Sequence, residues 1–319
     1  MKVFIPKPGE NWVCDTIIGE FEKNTRHDIV YDIKKSDIVF LYAKWIANHF
    51  PIMQLCMKPV VTTVHHIVPT KARAVDYIAL SQFTNVFHVS NEKTGSMLKN
   101  FVPNVHIKKL PYWVNSERWF PVEQPAKIPV NLHVGDRKLI ASFQRDTEGA
   151  SINSGVFLPK LEKGPDILAR IVKEFTPKEM AVFLGGWRRD YLLKELDKDY
   201  IVSSMRIDET SMNAAYNVIR KYNGYYLVTS RYEGGPQAIL EAARTKTKIL
   251  STDVGIASDI LHPDCICSSE QDFVDKISND AIEHTIEYNF NNVKKYEMTK
   301  VITMYDDLLD EVYLNARVR

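Results

Sequence analysis

Cysteine is scarce in this chain, with four in 319 residues, at Cys14, Cys56, Cys265 and Cys267. None forms a C-x-x-C pair, so neither a disulfide scaffold nor a cysteine-held metal centre has a basis in the sequence. Cys265-Ile266-Cys267 alternates as a strand does, which puts both thiols on one face as buried, reduced groups. Long apolar runs are absent too: no stretch approaches bilayer length, and the opening MKVFIPKPGENW holds only a three-residue apolar patch. The expectation is a cytoplasmic protein, with peripheral membrane contact as the most the sequence allows. Charge of one sign is also lacking, since 41 Lys and Arg face 40 Asp and Glu for a net +1. Residues 1–120 carry 15 basic against 10 acidic residues and six of the nine histidines. So small a surplus reads as a solvated surface that could also meet an anionic glycan or phosphorylated lipid, and without a basic run nucleic acid is not an expected partner. Apolar residues at 45% and charged residues at 25% describe a globular chain, long enough for two domains with a core each.

Short apolar runs at 3–5, 38–42, 60–64, 86–89 and 105–110 alternate with helix-like stretches, the pattern of a parallel sheet covered on both faces. Pro121, Pro125 and Pro129 fall within nine residues lacking any periodicity, and these predict a linker. A second alternation follows, with strands at 139–143, 181–184, 200–203, 225–229, 248–251 and 265–268 and helices near 165–175, 188–196 and 209–221. The fold class expected is α/β, two Rossmann-like doubly wound domains facing across a cleft, divided as 1–122 and 123–299. Residues 300–314 place Val301, Met304, Tyr305, Leu308 and Leu309 at helical spacing.

The segment Tyr225–Ile260, YYLVTSRYEGGPQAILEAARTKTKILSTDVGIASDI, carries the most chemistry. It reads as a buried strand, a turn at Glu233-Gly234-Gly235, a helix with Pro236 at its first position, and a second strand. A helix start after a glycine turn offers unpaired backbone N–H groups and the positive end of the helix dipole, an anion site that Gly234, Gly235, Gln237 and Ala238 can supply. Gln237 and Glu241 lie one turn apart, opposite Ile239, Leu240 and Ala243. A carboxylate beside a phosphate would repel it, so a glutamate at each end suits hydroxyl groups flanking a diphosphate. The bland alternative is an ordinary surface turn and helix.

On these residues the chain resembles the retaining glycosyltransferases of family 4, of GT-B architecture, whose signature of Glu, seven residues, Glu is matched by Glu233 and Glu241. The resemblance implies that Glu233 and the loop amides meet the donor sugar and phosphates, that Glu241 holds the ribose, and that the last helix, about 300–319, packs back on the first domain. VVTTVHHIVP is similar to the family's strand-end histidine, placing His65 near the reaction centre and His66 where many members have Asp; a structural cap on a backbone carbonyl is the other reading of His65. LIASFQRDTEG and LPKLEKGPDIL resemble the strand-end Arg and the Lys-Gly before a helix, which makes Arg145 and Lys163 the cations for the diphosphate, where charge builds as the sugar–phosphate bond breaks. Lys160 is the rival for Lys163, a surface ion pair is the alternative for Arg145, and the long spacing between them departs from the family. Gly9, in the loop after the first strand, Gly186 in Gly185-Gly186-Trp187, and Arg206 in the stretch 205–207 are the remaining donor contacts implied.

Asp197-Lys198-Asp199 has the letters of the D-x-D motif of metal-dependent transferases, but it precedes a strand instead of ending one. No metal and no cofactor beyond the nucleotide-diphosphate sugar donor are expected. The acceptor is a glycan, a lipid-linked group or another hydroxyl compound. A sugar-nucleotide 2-epimerase of the same fold and a catalytically silent sugar-nucleotide binder are the competing functions.

Overall fold

A computed structural model describes residues 1–9, 13–123, 132–149, 155–205, 207 and 211–317. The chain divides into two compact units, Met1–Trp113 with Tyr296–Arg319, and Val114–Lys295. The first division lies ahead of the boundary at 122/123 expected from the prolines. The cause is local: the Val122 N–H donates to Asn217 Oδ1 at 2.6 Å and Asn217 Nδ2 to the Phe120 carbonyl at 3.0 Å, binding this segment to the helix Met212–Lys221.

The first unit is one parallel sheet. Its strands are β1 (Lys2–Phe4), β2 (Asp28–Val30), β3 (Ile38–Leu41), β4 (Val60–Thr63), β5 (Val86–Val89) and β6 (Ile107–Lys109), in the order β2-β1-β3-β4-β5-β6. All residues of β3, β4 and β5 are buried, as strands covered on both faces require. The sequence reading omits β2, a half-exposed three-residue edge strand. Helix Met298–Arg317 completes this unit. Its inward stripe is Val301, Ile302, Tyr305, Leu308 and Leu309, so Ile302 stands where Met304 was expected, and Met304 is exposed. Each buried aliphatic contributes about 2 kcal/mol. Asp306, also buried, is satisfied by the Thr25 hydroxyl at 2.5 Å and the Arg26 N–H at 3.1 Å.

Tyr305 reaches His88, on β5, whose Nε2 lies 3.0 Å from both the Tyr305 hydroxyl and the Leu110 carbonyl, with Thr63 Oγ1 2.9 Å from Nδ1. A carbonyl only accepts, so the imidazole carries its proton on Nε2. Burial pushes its pKa down to about 4 from an ordinary 6.5. The unfolded chain therefore binds this proton first, so stability present above pH 6.5 is lost as pH falls toward 4, by roughly 3 kcal/mol in total. We expect His88→Gln, which keeps a polar group but cannot titrate, to lose stability less steeply than the wild type over that window in denaturant unfolding. Parallel slopes would remove His88 from the acid response.

The second unit repeats the design with β7 (Lys138–Ser142), β8 (Met180–Gly185), β9 (Ile201–Met205), β10 (Tyr225–Val228), β11 (Lys248–Thr252) and β12 (Ile266–Cys267), ordered β12-β11-β10-β7-β8-β9 and all parallel. The chain winds outward from β7 in one direction and from β10 in the other, so the loops leaving β7 and β10 diverge at the centre of the sheet. That is the switch point where open α/β sheets bind ligands. Cys265 and Cys267 are buried free thiols, and burial pushes Cys267 up to about 12. Among the described residues no helix is long and apolar enough to cross a membrane.

Candidate functional site

At the switch point of the second unit, Gln144 leaves the end of β7 and Ser230 the end of β10. Both converge on Glu233. One oxygen of that carboxylate, Oε1, accepts from Lys163 Nζ at 2.5 Å, Ser230 Oγ at 3.1 Å and Gln144 Nε2 at 3.2 Å. The other, Oε2, takes no hydrogen bond among the described residues. The Glu233 side chain is 9% exposed and that of Lys163 19%, so the ion pair is largely shielded and the carboxylate is held in one orientation. Glu233 is thereby an acceptor with one oxygen committed and one open.

Lys163 is delivered by backbone architecture. The one-turn helix Leu161–Lys163 ends in Gly164 at φ 62°, and Pro165 begins the next helix. A Cβ on Gly164 would lie 1.8 Å from the Thr229 carbonyl oxygen, so only glycine lets this turn lie on the end of β10. The Glu162 carbonyl accepts from the N–H groups of Arg231 at 2.9 Å and Tyr232 at 3.2 Å, and the Thr229 hydroxyl donates to the Gly164 carbonyl at 2.9 Å. Lys160, the rival cation, instead sits 3.8 Å from Glu162. Burial pulls its pKa down, Glu162 and Glu148 oppose that, and the charges of Lys163 and Arg145 add to it. Arg145, Lys160 and Lys163 thus lie near one another beside Glu233, interleaved with Glu148 and Glu162. Arg145 is half-buried, directly after Gln144.

The helix bearing the second glutamate runs Gln237–Arg244, one residue later than expected, with Pro236 as its cap residue at φ −59°, ψ 107°. The ψ value explains the shift, because it is extended where a helical residue would be near −42°. Ile239, Leu240 and Ala243 are buried, while Gln237, Ala238 and Glu241 are half-buried. Glu241 Oε2 accepts from the Tyr216 hydroxyl at 3.0 Å. Burial, with Tyr226 and Glu241 nearby, pushes that phenol far up, so it stays a neutral donor. Gly234 and Gly235 precede the helix, and Gly255 at φ 57° allows the loop after β11 to approach: a Cβ there would lie 2.7 Å from the Gly234 carbonyl.

Gly186 has φ 92°, and a Cβ would come within 2.9 Å of the Phe143 carbonyl. Its N–H is committed to the Met205 carbonyl at 2.9 Å, so this glycine serves the sheet edge. Behind it lies a buried ion pair the sequence did not reveal, Arg189 Nε to Asp146 Oδ2 at 3.3 Å. Burial pushes the acid up and the guanidinium down. With the N–H groups of Asp146 and Thr147 donating to the Arg188 carbonyl at 3.0 and 3.2 Å, this pair pins the start of the segment joining Arg145 to Lys163. Arg206 lies outside the described residues. Asp197 and Asp199 are exposed, with the Asp199 N–H donating to Asp197 Oδ1 at 3.0 Å in a turn ahead of β9.

In the first unit His65 follows β4, half-buried. Its Nδ1 hydrogen-bonds the Tyr112 hydroxyl, Nε2 lies 3.9 Å from Cys14 Sγ, and the rings of Tyr42 and Trp45 are centred 5.2 and 5.8 Å away. His66 is half-buried beside it. Gly9, after β1, takes φ 71° and donates its N–H to Asp15 Oδ1 at 3.1 Å, which ties this glycine to the helix Val13–Asn24.

Gln144, Ser230, Tyr216 and Tyr112 were missed as site residues. The strand-end positions of Gln144 and Ser230 were the available signal.

No family model matches the sequence, and no curated protein matches it. Solved structures do match in fold. HepE of Anabaena in complex with UDP-glucose aligns at a TM-score of 0.71 and 13% identity, covering 97% of this chain and 99% of that one. Sucrose-phosphate synthase from Thermosynechococcus elongatus aligns at 0.69 and 12% identity, over 88% and 74%. The pneumococcal O-GlcNAc transferase GtfA, in complex with UDP and GlcNAc, aligns at 0.59 and 15% identity, over 94% and 60%. The fold class is GT-B, α/β with two Rossmann-like units.

Proposed function

We propose that this chain is a retaining glycosyltransferase of family 4, moving a sugar from a nucleotide-diphosphate sugar to a glycan, lipid-linked or other hydroxyl acceptor in the cytoplasm or at its membrane surface. The observation that carries this reading is Glu233, with one oxygen clamped by Lys163, Ser230 and Gln144 and the other open to accept from a hydroxyl. Complexes of the structural neighbours with UDP, UDP-glucose or GlcNAc support it.

In this reading the open oxygen of Glu233 fixes the donor sugar through a hydroxyl. Lys163 spends one of its three donors on Glu233, leaving two for phosphate. Arg145 and the amides of Gly234, Gly235, Gln237 and Ala238 share the charge that develops as the anomeric carbon–phosphate oxygen bond breaks. The acceptor oxygen forms its bond on the same face, and its proton passes to the departing phosphate. Glu241, steadied by Tyr216, accepts from the ribose hydroxyls. His65, oriented by Tyr112, is assigned to the sugar by the family resemblance. In this reading Arg145, Lys163 and the loop amides take the charge-stabilising part that a divalent ion plays in other transferases, and transfer is expected to proceed without a metal.

A panel of nucleotide sugars screened by thermal shift tests the proposal. A true donor at 100 times its dissociation constant stabilises the fold by roughly 2.7 kcal/mol. Incubation of that donor with and without hydroxyl acceptors then decides the reaction. Acceptor-dependent product with the donor's anomeric configuration is expected; epimerised donor without acceptor, or binding without turnover, overturns the assignment.

A further inference from the structure

Beside the β12 edge of the second unit's sheet, we infer that His262, Asp264 and His284 form a surface site for zinc or a similar borderline divalent transition metal. One ring nitrogen of each histidine and a carboxylate oxygen lie within 4.8 Å of one another. The carboxylate already bridges the rings, with Asp264 Oδ2 2.9 Å from His284 Nε2 and 3.6 Å from His262 Nδ1. Two imidazoles and one carboxylate are the donor set of three-ligand zinc sites that leave further positions to water. The imidazoles disfavour magnesium and calcium, which take oxygen ligands.

The scaffold beneath the three side chains is already rigid. His262 and Asp264 flank Pro263 in the turn Pro263–Cys265, and His284 sits in the turn Glu283–Thr285. Under the surface the two turns are tied by the Cys265 thiol donating to Thr285 Oγ1 at 3.1 Å, and Asn289 Nδ2 donates to Cys265 Sγ at 3.3 Å. Asn289 also accepts the His262 N–H at 2.7 Å, and the Tyr288 ring packs edge-on against the His262 ring at 5.0 Å. His262 Nδ1, which accepts the Asp264 N–H at 3.2 Å, exchanges that bond for the ion, and the half-buried His262 ring with the exposed Asp264 and His284 side chains adjusts on this fixed scaffold.

This site is separate from the donor site on topological grounds. The turn Pro263–Cys265 enters β12, and Glu283 pairs at 2.7 Å with Lys248, the first residue of β11, so both turns lie at the amino ends of parallel strands. Glu233 follows the carboxyl end of β10. A metal here would clip two turns together and leave the transfer chemistry untouched, and the inference stands whatever reaction the chain performs.

The test is calorimetric titration of the tag-free full chain with zinc chloride. A single saturable site is expected, weakened at least about 10-fold in His284→Ala and in His262→Ala, since even loss of an outer partner costs that much. His106→Ala, an exposed histidine in the first unit, serves as control and should bind as the wild type does. Zinc should raise the unfolding midpoint of the wild type and not of His284→Ala, while magnesium does neither. Absence of zinc binding below millimolar concentration, or equal affinity in wild type and His284→Ala, overturns the inference.

Discussion

Glu233→Ala is expected to lower turnover of the nucleotide-sugar donor by about 10²–10³-fold, the scale on which removal of one preorganised charge-stabilising partner acts. Three donors converge on a single oxygen of this side chain; on its removal Lys163 and Ser230 lose that acceptor, while Gln144 keeps Ser230 Oγ at 2.9 Å. Lys163 is left with its ammonium mostly shielded and unpaired, so a stability loss accompanies the catalytic one, toward the lower end of the ~3–5 kcal/mol seen for a broken buried pair because Lys163 keeps some solvent contact. The two effects separate experimentally. Lys163→Met removes the ion pair but keeps the carboxylate, and should cost comparable stability while weakening donor affinity through the phosphate. Glu233→Gln preserves shape and an accepting oxygen, and should recover part of the turnover. If Glu233→Ala turned over donor at the wild-type rate while folded, the assignment of this carboxylate to the sugar would fall.

Gly164→Ala is expected to destabilise the chain on the order of 4 kcal/mol. Two causes add. The residue sits at φ 62°, where a side chain costs ~1–2 kcal/mol, and its Cβ would lie 1.8 Å from the Thr229 carbonyl oxygen, a backbone atom that moves only with the end of β10. Gly155 isolates the first cause, since it has φ 70° and, among the described residues, nothing within 4 Å of an added Cβ. Gly155→Ala should therefore cost only the conformational part, about 1 kcal/mol. Urea unfolding of both variants measures the difference. Equal losses would mean that the turn at Gly164 yields without disturbing the strand, and the account of how Lys163 is positioned would need replacing. Because the same shift withdraws Lys163 from Glu233, donor affinity should fall in Gly164→Ala and not in Gly155→Ala.

Much of this architecture is readable in the residues because a parallel strand covered on both faces has no polar face to disguise it. IVFL at 38–41, VFHV at 86–89 and YYLV at 225–228 are buried throughout. DIV at 28–30 escaped because an edge strand of that length carries neither a run nor an alternation. In the last helix Met304 and Ile302 flank the same stripe, and spacing alone does not say where the stripe is centred. Glu233, Glu241, Arg145 and Lys163 were legible as a pattern along the chain. Gln144 and Ser230 were not, since they stand 86 residues apart and meet only once β7 and β10 are neighbours at the switch point. The same holds for Tyr216 on Glu241 and for Tyr112 on His65. Strand order is a tertiary fact: that Gln144 and Ser230 end strands is readable locally, that they meet is not.

Helix Met298–Arg317 belongs to the unit that begins at Met1, while all of Val114–Lys295 lies between them in the chain. During synthesis the ribosome therefore delivers everything the sheet around β7 requires before it delivers the element that covers Phe40 and His88. The half made first must wait, with part of its apolar interior bare, for the half made second.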